Sequence, residues 1–186
     1  DITNLKGRES QHVTTSSELG NILDYSIDLI FLFDANGLIA KVSESVMETL
    51  GYSKTELLGK KYVDFLYPSD VEKTTSAFES ILRGEKIRNF EIRLIDSRGK
   101  LLYFNWSGNI KQDTNQVLGI ARDITELVEL KKKGAQEKFR IQTILNSSPD
   151  LIWSVDRDFK LVSGNDTFLK VIKDTKGWEI KPGDPI

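Results

Sequence analysis

The sequence predicts an α+β fold: a five-stranded antiparallel sheet with its helices on one face, followed by a linker helix and the first half of a second unit of the same kind. Three observations predict it. Strand signals arrive as a pair, give way to a helical stretch and return as a run of three, an order that closes as one sheet covered on one side. Apolar and polar residues alternate in the later strands, so one face is built for burial. Phe90, Ile92 and Leu94 alternate with Glu91 and Arg93, and Phe104, Trp106 and Ile110 with Asn105, Ser107 and Asn109. The chain also repeats itself at an offset of 122 residues, the distance from Asp1 to Asp123.

The elements are taken in chain order. Residues 16–27, SSELGNILDYSI, open on serine caps and set Leu19, Ile22 and Leu23 at helical spacing, which predicts a short helix. DLIFLFDANGLIAKVS is two apolar runs joined by Asn36-Gly37, both tolerant of positive φ, and predicts a hairpin. ESVMETLGYSKTELLGKKYVDFLYPSD predicts short helical pieces: Val46, Met47 and Leu50 face one way, Gly51 and Gly59 end turns, and after Pro68 the pair Ser69/Asp70 caps the next helix. DVEKTTSAFESILRG predicts that longer helix, with Val71, Thr74, Thr75, Phe78, Ile81 and Leu82 inward and Gly84 as its stop. Three strands come next, IRNFEIRLID, KLLYFNWSGNIKQ and VLGIARDIT, with turns at 97–99 and 114–115. Both faces carry apolar groups over 101–106, where a one-residue slip would reverse the face.

The repeat sets the domain organisation. DITNL at 1–5 is echoed by DITEL at 123–127, and the match continues: Ile22-Leu23 falls on Ile144-Leu145, Ser26 on Ser148, Asp28-Leu29-Ile30 on Asp150-Leu151-Ile152 and Asp34 on Asp156. Unlike apolar pairs fill the gaps, Phe31 with Trp153, Phe33 with Val155, Val46 with Phe168 and Leu50 with Ile172. Register held over about fifty residues without a gap marks a true repeat. It divides the chain into the end of a preceding unit with its linker (1–15), one complete unit (16–125), a helical linker (126–142) and the N-terminal half of a second unit (143–186). That half lacks three strands, so it should expose sheet edges and side chains such as Trp153 and Phe168. It predicts disorder, exchange with a neighbouring chain, or packing on the linker.

Composition narrows the function. The 186 residues are 39% hydrophobic and 29% charged, enough for a packed core, and the absence of an initiator Met suggests a piece of a longer protein. Lys and Arg number 26 against 28 Asp and Glu, so no basic surplus favours nucleic acid. No apolar run approaches a membrane span, and 1–20 is too polar for a secretory signal, which fits a cytoplasmic location without membrane contact. Zero cysteines exclude disulfides, thiolate metal sites and cysteine nucleophiles. Enzyme readings fare poorly. The single histidine, His12, lies in a linker; Gly20, Gly37, Gly51 and Gly59 are isolated rather than a phosphate loop; and the carboxylates Asp24 and Asp28 read as a turn and a cap. No catalytic or metal-ligating residue is assigned.

The sequence resembles the PAS family of sensor domains, in full over about 16–125 and as a first half over about 138–186. The resemblance rests on DLIFLFDANGLIAKVSES and ETLGYSKTELLGK, whose GYSxxELxG run is specific, and on FEIRLIDSRGKLLYF with VLGIARDITE. It implies the sheet-plus-helices fold and an input or interaction module of a signalling protein, commonly in tandem and often upstream of a histidine kinase. It also implies that Asp123, Ile124 and Thr125 end the last strand and start the helix that carries the signal onward. Light sensors of the family that form a flavin adduct need a cysteine after the short helices, where this chain has Lys60-Lys61-Tyr62-Val63-Asp64. Haem-binding members commonly use a histidine on the long helix, and none stands there. The ligand is left unknown, with a non-covalently held flavin or a small metabolite still open. The Asn frequent after the second strand is Ser43 here and Asn165 in the second copy.

Candidate site residues come from the same alternation. Phe31, Phe33, Met47, Leu50, Phe78 and Leu82 converge with Phe90, Ile92, Phe104 and Trp106 between sheet and helices. Plain core packing accounts for such a set; a ligand cavity would add Tyr62, Asn105 or Ser107 as polar contacts, with Gly119 and Ala121 leaving room. A cavity of a few hundred Å3 with polar groups pointing in favours ligand or redox sensing, and a solid core favours a ligand-free scaffold for dimerisation. The linker ITELVELKKKGAQEKFRIQTIL reads either as a single connecting helix or as a dimeric signalling helix with a seam of Ile124, Leu127, Val128, Phe139, Ile141 and Leu145, interrupted by Gly134 and the lysines at 131–133. The partners expected are a second copy of the chain and adjacent PAS and effector domains.

Overall fold

A computed structural model describes residues 26–111 and 113–186. The DIT copy at 1–5, His12, Asp24 and residues 16–25 of the first expected helix lie outside the described residues. The chain divides into two units between Val128 and Glu129.

The first unit contains β1 (Leu29–Phe33), β2 (Ile39–Val42), α1 (Glu44–Leu50), α2 (Lys54–Leu57), two 3-10 turns (Tyr62–Phe65 and Pro68–Asp70) and α3 (Val71–Leu82). β3 (Ile87–Ile95), β4 (Leu101–Lys111) and β5 (Gln116–Asp123) complete it. All five strands form one antiparallel sheet in the order β2-β1-β5-β4-β3, so the last strand returns to the centre beside the first. Period-two alternation holds through the doubly apolar stretch of β4: Leu102, Phe104 and Trp106 are buried on the helix side. They meet Val46, Leu50, Leu57, Phe78 and Ile81 from the helices in a single core. Burying an apolar side chain of this size stabilises the fold by about 1.5–3 kcal/mol.

The hairpins are closed by aspartate. Asp34 Oδ1 accepts hydrogen bonds from the amides of Asn36 and Leu38, and Asp96 Oδ1 does the same for Arg98 and Lys100. Each turn ends on a glycine with positive φ, Gly37 at 77° and Gly99 at 80°. Asn36 keeps negative φ, contrary to the expectation from Asn36-Gly37, because the carboxylate at the first turn position supplies the acceptor and only the last residue must be left-handed. Gly37 serves a second purpose, since a Cβ there would lie 2.7 Å from the ring of Tyr62.

Asp70 differs from its expected role. It precedes α3 but makes no side-chain cap; its carboxylate turns to β3 instead. Oδ2 accepts from Arg93 N (2.8 Å) and Nε (2.9 Å), and Oδ1 from Arg93 Nη2 (2.7 Å), with Lys73 Nζ at 3.2 Å. Asp70 is 2% exposed, and the Arg93 guanidinium, helped by Lys73, holds its pKa down to about 2 against the desolvation that opposes it. β3 is an edge strand, and side chains and turns close that edge: Tyr67 N donates to Arg93 O, Lys73 Nζ to Glu91 O and Tyr52 OH to Ile95 O.

α4 (Thr125–Ser147) runs five residues past the expected end of the linker at 142. The second unit then has β6 (Trp153–Val155), β7 (Leu161–Gly164) and α5 (Asp166–Lys176). Phe168, expected to be exposed, is buried with Leu161 and Ile180, and Trp153 stacks on it at 5.2 Å. The cover comes from residues 180–186, which return along β7 through Leu161 N to Asp184 O, Gly183 N to Leu161 O and Ile186 N to Phe159 O.

Candidate functional site

Between sheet and helices the first unit encloses a cavity of about 40 Å3. Of the residues singled out in the sequence, Phe31, Phe33, Leu50, Tyr62, Phe78, Ile92, Trp106 and Ala121 line it. The others do not. Phe104 is fully buried but belongs to the core outside the lining, and Met47, Leu82 and Phe90 lie partly buried at the core margin. Asn105 alternates with Phe104 and Trp106 and therefore stands on the opposite face, as does Ser107, which borders a surface groove with Lys86, Arg88 and Asn109. The same alternation that placed the aromatic side chains inward already put these polar ones outward.

Ile39, Leu57, Phe65, Leu66, Thr74 and Leu94 complete the lining. Ile39 and Leu94 were legible from strand alternation. Leu57, Phe65 and Leu66 sit in or beside helical pieces of four residues, too short to show a period.

Aromatic packing defines one wall. Tyr62 stacks on Phe78 at 4.9 Å, and Phe33 meets both edge-on at 5.8 and 5.9 Å, near the favoured separations. Thr74 Oγ1 donates to Asp70 O, and burial pushes the pKa of the Tyr62 phenol above the usual tyrosine range.

Of the room expected at Gly119 and Ala121, that at Gly119 is filled by the chain itself, while Ala121 borders the cavity. Gly108 and Gly119 face each other across β4 and β5, and the indole of Trp106 lies over both. A Cβ on Gly119 would come within 2.7 Å of Trp106 Cζ2, and one on Gly108 would run into Cη2 and Cζ3. Ligand pockets for cofactor-sized molecules occupy roughly 300–1,000 Å3, so a non-covalent flavin does not fit a space of about 40 Å3.

A second candidate site is the junction at the end of β5. Ile124 N donates to Tyr103 O on β4, and Tyr103 N donates to Thr125 Oγ1 at 2.9 Å. Asp123 Oδ1 accepts from Thr125 N at 2.8 Å, and Val128 N donates to Ile124 O in the first turn of α4. Three consecutive residues thus tie the sheet to the start of the helix, with the carboxylate at its positive end. Beyond the junction Leu127, Leu130, Ile141 and Ile144 are exposed along α4.

Among the described residues no cluster of three potential metal ligands occurs, and no helix is long and apolar enough to cross a membrane.

A family model described as PAS fold matches residues 39–121, and one described as PAS domain matches 140–183. Sporulation kinase E of Bacillus subtilis (strain 168) is 22% identical over 165 residues, which cover 89% of this chain; the chain spans 22% of that kinase's length. A domain of a sensory box sensor histidine kinase/response regulator from Geobacter sulfurreducens is similar at 27% identity and a TM-score of 0.54, with 59% of this chain and 94% of that one covered. The PAS domain of an HTR-like protein from Haloarcula marismortui gives 26%, 0.53, 60% and 98%.

Proposed function

The chain belongs to the PAS family, and from that premise we propose that its first unit is a non-catalytic sensory input module. It relays its state through Asp123, Ile124 and Thr125 into α4 and on to a downstream effector such as a histidine kinase in the cytoplasm. The junction carries this reading. Tyr103 on β4 bonds Ile124 and Thr125 through both of its backbone groups, so a shift of the sheet moves the first turn of the helix. The kinase relatives support the kind of effector. The exposed apolar residues of α4 support a homodimer, in which paired helices pass the movement on.

A second reading has its own observation. An interior with only about 40 Å3 of space resembles a packed scaffold more than a metabolite pocket, and a ligand-free unit would still serve dimerisation in an array of PAS domains. Fusing the chain ahead of a histidine kinase catalytic region separates the two. Under the relay reading, Thr125→Val and Asp123→Ala change autophosphorylation several-fold while the first unit stays folded. Kinase output unchanged by both variants, with dimerisation intact, supports the scaffold and contradicts the relay.

A further inference from the structure

We propose that the groove on the outer face of the first unit's sheet, between Lys86 and Arg88 on one side and Leu118 and Ile120 on the other, docks an acidic amphipathic helix of a partner protein. The groove has a volume of about 190 Å3 and crosses three strands. β3 and the residue before it supply Arg88 and Lys86, β4 supplies Ser107 and Asn109, and β5 supplies Leu118 and Ile120. In the sheet β4 lies between the other two, so a cationic wall faces an apolar one across a polar floor.

The local backbone builds the cationic wall. Ile87 packs at the margin of the core, so Lys86 and Arg88 on either side of it stand outward by alternation. The ladder to β4 shifts register between Ile87 and Phe90, with Asn89 in the left-handed region at φ 53°. Without this bulge, alternation back from Phe90 would turn Arg88 inward. Neighbouring cations are paired, Arg83 with Glu85 and both Arg93 and Lys73 with Asp70. Among the described residues neither Lys86 nor Arg88 has an ion-pair partner.

The two walls define the occupant. Leu118 and Ile120 are exposed and stand two residues apart on β5, about 6.8 Å along the strand. Apolar residues at i and i+4 of a helix are separated by a rise of about 6 Å, so one helix face meets the pair in the manner of a helix laid in a groove. Carboxylates flanking that face then meet the unpaired cations. A second copy of the chain placed symmetrically here would set Lys86 and Arg88 against their own equivalents. A lipid surface is recognised by clusters of about 4–8 cations, and a nucleic-acid phosphate backbone would leave the apolar wall uncovered.

The probe is a synthetic helical peptide of leucine, glutamate and alanine, titrated into the complete chain and followed by amide chemical shifts. Saturable shifts should appear at Ser107, Asn109, Leu118 and Ile120, and binding should weaken several-fold as salt is raised. Lys86→Glu combined with Arg88→Glu should weaken it by about tenfold or more, with the melting temperature unchanged because neither cation is paired. A peptide with lysine in place of glutamate should bind only the doubly reversed chain. The proposal is overturned if no saturable shift appears at the groove, if the lysine peptide binds the unaltered chain as well as the glutamate peptide does, or if the double reversal leaves the glutamate peptide's binding unchanged. It is overturned equally if the two reversals dissociate a dimer of the unaltered chain or release it from phosphatidylserine vesicles, which would make the occupant a second copy or a membrane. The titration requires no kinase, so its outcome is independent of the relay.

Discussion

Phe31 and Phe33 in the first unit are 6% and 5% exposed, whereas Trp153 and Val155, 122 residues further on, are 50% and 40% exposed. The local plan is shared. Asp156 Oδ1 accepts from Asp158 N and Lys160 N as Asp34 Oδ1 does from Asn36 N and Leu38 N, and both helices end on a left-handed glycine, Gly51 or Gly177. What differs is the cover. β5 pairs with β1 and brings β4 and β3 with it, while among the described residues β6 pairs only with β7. Hairpin and helix are therefore specified by their own residues, and burial of their inner face is specified by strands distant in sequence.

The two copies also solve one hydrogen-bonding problem in two ways. Asn165 Oδ1 accepts from Ile152 N and Phe168 N, and its Nδ2 donates to Leu145 O and Asp150 O. In the first unit two hydroxyls share the corresponding work: Ser43 Oγ accepts from Ile30 N, and Ser45 Oγ donates to Asp28 O. The largest expected effect comes from this contrast. Asn165→Ala removes four hydrogen bonds at once, one buried and three part-buried, and should destabilise the second unit by about 3 kcal/mol, and Ser43→Ala should cost the first about 1 kcal/mol. Amide exchange resolved by unit measures both; equal losses would show that the serine pair and the asparagine are equivalent.

Acid should separate the units next. The Asp70 pKa is lowered to about 2 in the folded first unit, below its ordinary value near 4. Its contribution is present above about pH 4 and is lost as pH falls through about 2. That amounts to about 2 kcal/mol, abolished in advance by Asp70→Asn. Urea midpoints for the first unit between pH 5 and pH 2 should fall in the unaltered protein more than in the variant. Parallel curves would break the assignment.

The smallest effect has opposite signs in the two turns. Phe159 occupies the left-handed position at φ 58° that Gly37 occupies at 77°. Gly37→Ala should destabilise the first unit by about 1–2 kcal/mol from strain, with the Tyr62 contact added. Phe159→Gly should stabilise the second by up to about 1 kcal/mol, strain relief outweighing the added chain entropy. Thermal melts that moved in the same direction would refute the shared plan.

Much of this is legible in the sequence where the cause is local. Asp34 and Gly37, or Asp96 and Gly99, carry their turn between them, and the period of β3 and β4 marks the buried face. Asp70 reads as a cap in the sequence, and is not one, because its partner Arg93 stands 23 residues away. The ungapped repeat holds through Leu50 and Ile172 and then slips. α5 has 11 residues where α1 has 7, so Gly51 corresponds to Gly177 and Gly59 to Gly183. Cavity volume is not legible, because it depends on how the Trp106 indole seats over Gly108 and Gly119 once the strands are in register.

The relay at the end of β5 can be tested by disturbing the cavity and observing the helix. Ala121 lines the cavity two residues before Asp123, so Ala121→Val perturbs the interior without touching the junction. Amide exchange at Ile124 and Val128 should then change by about fivefold, equivalent to about 1 kcal/mol, together with Tyr103. Exchange altered around the cavity but unchanged at Tyr103, Ile124 and Val128 would contradict the relay.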